Sequence, residues 1–273
     1  MKQLDGINRI LCIVVLCALL ATSCYEDQEG CLDILATNYN VGADTACEDC
    51  CTYPSLVLEL SQVNGDEAFR LGDTIINNMG VATRLIDLVY YVSEVQVELM
   101  GDDTYVADTM QVVIPGDPAD TIAVVDDAVA IKRSQGSYEI GEMRGRGQLT
   151  RLAMTVGLPA VLDGNMLIVE LANDLSSNRD SLRSDDNRYM IQRLILGTGP
   201  ELTDTISIEV EAQYSMPIVP VALDTMYMLG ADKRIPMQVD YSMWFDDIEF
   251  DTIDPDELQR QLVANMTAAF SLQ

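Results

Sequence analysis

The 273-residue chain contains no histidine. That absence removes Ser-His-Asp and Cys-His catalysis, histidine-ligated zinc and pH switching by imidazole. No nucleophile motif or clustered acid pair replaces them, and the sequence reads as a non-enzyme. Aromatic residues are scarce, with one tryptophan (Trp244) and four phenylalanines. Basic residues are scarce too: 16 Lys and Arg stand against 44 Asp and Glu, for a net charge of −28. Such a charge repels nucleic acid and anionic membrane surfaces, so no nucleic-acid partner is expected. No apolar run after Ala21 is long enough to cross a bilayer as a helix. Low hydrophobicity does not accompany the acidity: 48% of residues are hydrophobic, which separates this chain from disordered acidic sequences.

What is present starts at the N-terminus. Lys2 and Arg9 precede an apolar stretch from Ile10 to Ala21, the layout of a secretory signal too short for a membrane span. It ends in Ala21-Thr22-Ser23-Cys24, which resembles a bacterial lipobox, with Ala21 where leucine is usual. The resemblance implies cleavage after residue 23 and acylation of Cys24. Acyl chains at ~0.8 kcal/mol per CH₂ give durable attachment to a lipid bilayer without a spanning helix. Residues 24–29 form an acidic tether, and Tyr25-Glu26-Asp27-Gln28-Glu29 resembles the signal that sends Bacteroidetes lipoproteins to the cell surface. The expected location is the outer membrane, lipid-anchored and surface-exposed.

Four cysteines remain in the exported chain: Cys31, Cys47, Cys50 and Cys51. An even number in an oxidising compartment favours two disulfides. A bridge between adjacent Cys50 and Cys51 is strained, so Cys31 is expected to pair with one of the other three, with the choice left open. Residues 30–54 (GCLDILATNYNVGADTACEDCCTYP) resemble a short module of secreted Bacteroidetes proteins, through Gly30, Cys31, Asp33, Ala36, Asn38, Tyr39, Asn40 and Ala43. Its oxygen-bearing side chains, Asp33, Asn38, Asn40 and Asp44 with Glu48 and Asp49, are of the kind calcium takes, although EF-hand spacing is absent. The alternatives are a calcium site and a disulfide-stapled spacer. A four-cysteine zinc site is disfavoured by uneven spacing and adjacent thiols.

From residue 55 to 273 the pattern is one of short strands and turns. Arg84–Met100 alternates, with Val89, Tyr91, Ser93, Val95, Val97 and Leu99 on one face, which predicts a strand with that face buried. Further strands are predicted from Leu56 and over 105–114, 121–125, 148–156, 165–171, 188–196, 205–214, 219–223 and 236–244. Residues 172–187 read as a long exposed loop. Asp254-Pro255-Asp256-Glu257 supplies an N-cap, a proline at the first helical position and an N3 carboxylate. Leu258, Leu262, Met266 and Phe270 then recur every four residues. The fold expected is all-β: an antiparallel β-sandwich with a C-terminal α-helix and a small disulfide-rich N-terminal segment.

Two stretches carry a family resemblance. FRLGDTIINNMG (69–80) runs into VATRLIDLVYYVSEVQVEL (81–99), and the chain closes with Val239, Asp240, Trp244 and Phe245 before a helix ending A-N-M-x-x-A-F (264–270). Together these resemble MbnP-like domains, which are secreted or lipid-anchored β-sandwiches associated with copper. The resemblance implies a binding or scaffold domain linked to metal handling. The middle departs from it: where the family has Met-Trp-x-Trp and histidines, this chain has Tyr189-Met190-Ile191-Gln192-Arg193. Copper ligands cannot be carried over. Thioethers select Cu(I), and Tyr214-x-Met216, Met226-x-Met228 and Tyr241-x-Met243 each put two residues on one strand face. Either Met216, Met226, Met228 and Met243 converge on a metal, or they fill a phenylalanine-poor core. Asp246, Asp247, Glu249, Asp251 and Asp254 form a carboxylate cluster read as a solvated face. A calcium-stabilised adhesion module is the alternative function.

Overall fold

The computed structural model describes residues 26–99, 105–106, 109–114, 120–125, 127–132, 136–145, 147–159, 168–169, 182, 189–218, 221–228 and 230–273. The signal segment, Cys24 and all of 172–187 except Leu182 lie outside these. The chain divides into two compact units, one up to Ile34 with Asn38–Cys51, the other Leu35–Thr37 with Thr52–Gln273.

In the first unit, Glu29–Gly30 pairs in parallel with Thr45–Ala46. Disulfides join Cys31 to Cys51 and Cys47 to Cys50, with Cα separations of 5.1 and 5.7 Å. Both separations suit unstrained bridges. The vicinal pairing is avoided.

The second unit is a β-sandwich. One sheet is built on β1 (Ser55–Asn64), flanked by β5 (Ser137–Met143) and β10 (Lys233–Asp240), with β11 (Phe270–Leu272) outside β10. The other centres on β3 (Ala82–Leu99), an 18-residue strand. β7 (Met190–Thr198) pairs with the first half of β3 and β6 (Gly147–Val156) with the second. β2 (Thr74–Ile76) and β4 (Val129–Lys132) also pair with β3. β8 (Asp204–Glu211) and β9 (Val221–Tyr227) extend the sheet from β7 and β6. Pairing is antiparallel except between β1 and β10, which run parallel over eight residue pairs from Lys233–Leu56 to Asp240–Val63. The two sheets face each other through apolar side chains. Leu56, Leu58, Ile140 and Ile235 from one sheet and Val95, Leu152 and Met154 from the other line a single small gap. Truncating a leucine here costs about 2–5 kcal/mol.

The helix α1 (Pro255–Ala268) begins as its sequence predicts. Asp254 Oδ1 accepts from the N–H groups of Asp256 and Glu257, and Pro255 occupies the first turn. Leu262, Val263 and Met266 are buried. Phe270 is not the end of the helical stripe. The helix stops before it, and Phe270 pairs with Val239 as a strand residue. β4 and β5 lie in a stretch where no strand was predicted.

β3 also departs from simple alternation. Residues 88–93 are buried on both faces, and the strand bulges twice. Ile86 is unmatched between the pairs Ile195–Asp87 and Leu196–Leu85. A second register shift falls between Ser93 and Gln96, where Glu94 has φ 52°. Buried Asp127 accounts for that left-handed glutamate. Its carboxylate accepts from the Glu94 N–H at 3.1 Å and the Val95 N–H at 2.7 Å, satisfying the groups the bulge leaves unpaired. Thr155 donates its hydroxyl to Glu94 Oε2. Past the bulge the buried positions are Val95, Val97 and Leu99, in step with Tyr90 and Val92 rather than with Tyr91 and Ser93.

Burial pushes the Asp127 carboxyl up to about 6, against the two N–H groups that favour its charged form. The folded chain therefore binds this proton more tightly than the unfolded chain, and the stabilisation it gives is lost as pH rises from about 4 through about 6. Urea unfolding of wild type and Asp127→Asn across pH 4–7 should show it. Relative to the variant, wild type should lose up to about 3 kcal/mol over this window, and a pH-independent difference would contradict the assignment.

Candidate functional site

The two motif-bearing ends of the chain meet at the segment 244–248. Loop 69–80 approaches from one side. Arg70 N–H donates to Asp73 Oδ2 at 2.7 Å, and Gly72, at φ 92°, sends its N–H to the Leu85 carbonyl. This brings up Asn77, which is 5% exposed and uses its amide fully. Nδ2 donates to the carbonyls of Phe245 and Ile248, both at 2.9 Å, while Oδ1 accepts from Met79 N–H at 3.1 Å and Val81 N–H at 2.8 Å. Asn78 pairs with Asp247 in both directions, and its own N–H reaches Asp246 Oδ1.

α1 approaches from the other side. Asn265 Nδ2 donates to the carbonyls of Trp244 at 3.1 Å and Asp246 at 2.8 Å. Asp240 Oδ1 receives the N–H groups of Gly65 and Ser242. The carboxylate cluster is a solvated face, with Asp247, Glu249, Asp251 and Asp254 exposed, and four of its members also hold local structure. Asp246 and Asp247 bind Asn78, Glu249 accepts from Thr252, and Asp254 caps α1.

Inside this clamp lies an aromatic stack. Trp244 is fully buried, with ring centroids 4.4 Å from Tyr241 and 5.3 Å from Tyr90. Phe69 lies 4.5 Å from Tyr241, and Phe270 lies 6.4 Å from Tyr90. Tyr241 donates to Gln62 Oε1. Burial holds the Tyr90 hydroxyl well above its usual range, so it stays protonated. Gln192 stands directly across from Tyr90 on β7. The Gln192 amide and Trp244 Nε1 are buried with no hydrogen-bond partner among the described residues.

The methionines do not gather. Met226 pairs with Gln148 and Met216 with Val156, eight residues apart along β6, or ~26 Å. Met216 Sδ lies 3.8 Å from the Thr267 hydroxyl oxygen, and Met243 follows β10 of the opposite sheet. Tyr214 and the segment Tyr241–Met243 sit in 3₁₀ turns, so strand parity does not align the outer two Tyr-x-Met pairs. Only Met226 and Met228 share a strand neighbourhood, and both are exposed, at 67% and 73%.

In the first unit the oxygen-bearing side chains hold backbone. Asn38 donates to the Cys50 carbonyl, Asn40 Oδ1 accepts from Gly42 N–H, and Asp44 Oδ2 accepts from Gln28 N–H. A Cβ on Gly30 would come within 3.0 Å of the Asn40 and Ala43 side chains, which explains the glycine. Asp33 lies between Cys31 and the turn that follows it. Among the described residues, the sole group of three Cys, Asp or Glu ligand atoms within 4.8 Å of one another is Cys47, Cys50 and Cys51, whose sulfurs are in disulfides. Elsewhere, Arg144 stacks 4.0 Å over Tyr53 and pairs with Glu142.

Asn77 and Asn265 are the residues that motif reading undervalued. Asn265 could have been noticed as an amide flanked by the buried helix residues Val263 and Met266.

No family model matches the chain, and no curated protein matches it. Among solved structures it is similar to MbnP from Methylosinus trichosporium at 12% identity and a TM-score of 0.42, over 70% of this chain and 77% of that one.

Replacing Asn77 with alanine leaves the Ile248 carbonyl and the Met79 and Val81 N–H groups without the amide, and the Phe245 carbonyl with the Ile248 N–H alone. Urea unfolding followed by Trp244 fluorescence should show a loss of about 2–4 kcal/mol, with about 1–3 kcal/mol for Asn265→Ala. Because both hold one segment, the double variant should cost less than the sum. Strict additivity would contradict a shared clamp.

Proposed function

We propose that the chain is a lipid-anchored, noncatalytic binding and scaffold protein, held in the outer membrane through Cys24 and displayed at the cell surface. The observation that carries the noncatalytic reading is the use of the motif side chains. Asn77, Asn78, Asp240, Asn265, Asp246 and Asp247 engage backbone or one another. What the family-like motifs build is a closed structural joint. The lipobox-like Ala21–Cys24 and the acidic tether support the anchor.

A second reading, Cu(I) handling, is favoured by the exposure of Met226 and Met228. Methionine is ordinarily a core residue. Two solvent-facing thioethers two positions apart are donors suited to a soft monovalent cation. No histidine competes for the metal.

Detergent phase partition of the exported protein tests the anchor. Wild type should enter the detergent phase, with mass spectrometry finding acyl chains on Cys24, and Cys24→Ala should stay in the aqueous phase. An unacylated Cys24 in the exported protein would overturn it. For copper, the purified chain should retain about one equivalent of Cu(I) against a chelator, and Met226→Leu with Met228→Leu should abolish this. Retention by the double variant would remove the thioethers from the site.

A further inference from the structure

β9 is an edge strand of unusual composition. It pairs with β6 on one side, and among the described residues its other edge pairs with no strand. Val221 and Leu223 pack against the core, while Ala222, Asp224 and Met226 face outward and are exposed, followed by exposed Met228. Open edges in soluble proteins are ordinarily blunted by lysine, by proline within the strand or by a covering element. Residues 221–229 (VALDTMYML) contain no basic residue and no proline; Pro217 and Pro220 come just before them. Asp224 holds its position by accepting from Gln148.

The charge around the strand narrows what could pair with it. Residues 194–232 hold six acidic residues, Glu201, Asp204, Glu209, Glu211, Asp224 and Asp232, and not one Lys or Arg; Arg151, across from Ala222 on β6, is paired with Glu98. The whole chain carries −28, so a second copy meets strong like-charge repulsion. The backbone groups of an edge that no described strand covers suit another extended backbone. An outward face of Met226, Met228 and Asp224 suits a strand that alternates apolar and basic side chains.

We propose that the β9 edge is a β-addition site for an extended cationic segment of another protein. Backbone hydrogen bonds along 221–227 supply the pairing. The thioethers cover the partner's apolar side chains, and the acidic surroundings select its lysines or arginines. This goes beyond the scaffold reading and does not need the lipid anchor, because the purified chain suffices to test it.

The probe is a short peptide of alternating lysine and valine. It should bind the purified chain and slow amide hydrogen exchange in residues 221–228. An analogue N-methylated at alternate amides keeps the charge and loses one row of hydrogen bonds; it should bind at least about tenfold more weakly. Met226→Lys with Met228→Lys places the missing edge charges on exposed positions without touching the core, and should weaken the lysine–valine peptide by about tenfold or more. Equal binding of the N-methylated analogue, or exchange protection elsewhere than 221–228, would overturn the proposal. So would a concentration-dependent dimer in analytical ultracentrifugation that Met226→Lys with Met228→Lys dissolves, because it would assign the edge to a second copy.

Discussion

Two asparagine amides grip the peptide segment 244–248 from opposite sides, and the sandwich depends on that grip. Asn77 comes from the loop ahead of β3 and Asn265 from α1, and together they hold four carbonyls of one short segment. Within the segment only the Phe245 carbonyl has a backbone partner of its own, the Ile248 N–H. Left unpaired in the interior, each would cost about 1–3 kcal/mol. Satisfied, they fix Trp244 between Tyr241 and Tyr90, and so fix how the end of β10 meets the middle of β3. The parallel pairing of β1 with β10 works to the same end, joining the first and last long strands of the sandwich. The Asn77 contacts, 168 and 171 residues apart, and the β1–β10 pairing link distant parts of the sequence, whereas Asn265 reaches back 19 and 21 residues. Late, slow closure is the kinetic consequence of such long-range contacts.

This changes what the family-like motifs mean. The resemblance rested on FRLGDTIINNMG and on the Val239–Phe270 region. In the structure those stretches face each other, and their polar residues bind each other's backbone. What the two stretches do in this chain is close the sandwich. Away from the joint, the exposed thioethers and the β9 edge that no described strand covers stand out.

Much of the architecture was readable from the residues. The turn signals, the alternation after Glu94 and the Asp254-Pro255 helix start all have local causes, and local causes can be read from neighbours in sequence. The failures share a different cause. The bulge at Glu94 requires a left-handed residue that its own identity disfavours, and Asp127, 33 positions away, supplies the compensation. Phe270 keeps helical spacing but ends in a strand because Val239 offers a backbone partner. β5 was missed because Gly141 breaks a short Tyr138–Ile140 alternation, and only pairing with β1 makes a strand of it. For the Met pairs, spacing was legible, but which pairs lay in strands and how far apart those strands ran was not.

The clamp makes one claim about the native state that substitution cannot separate from general damage. If 244–248 is locked from both sides, its amides, and the Val81 N–H that Asn77 accepts, open only when the sandwich does. Native-state hydrogen exchange of the Val81 and Ile248 N–H groups measures this most directly. The expected opening free energy equals that of core amides in the middle of β3. Exchange of either amide through a local opening several kcal/mol below the β3 core would contradict it.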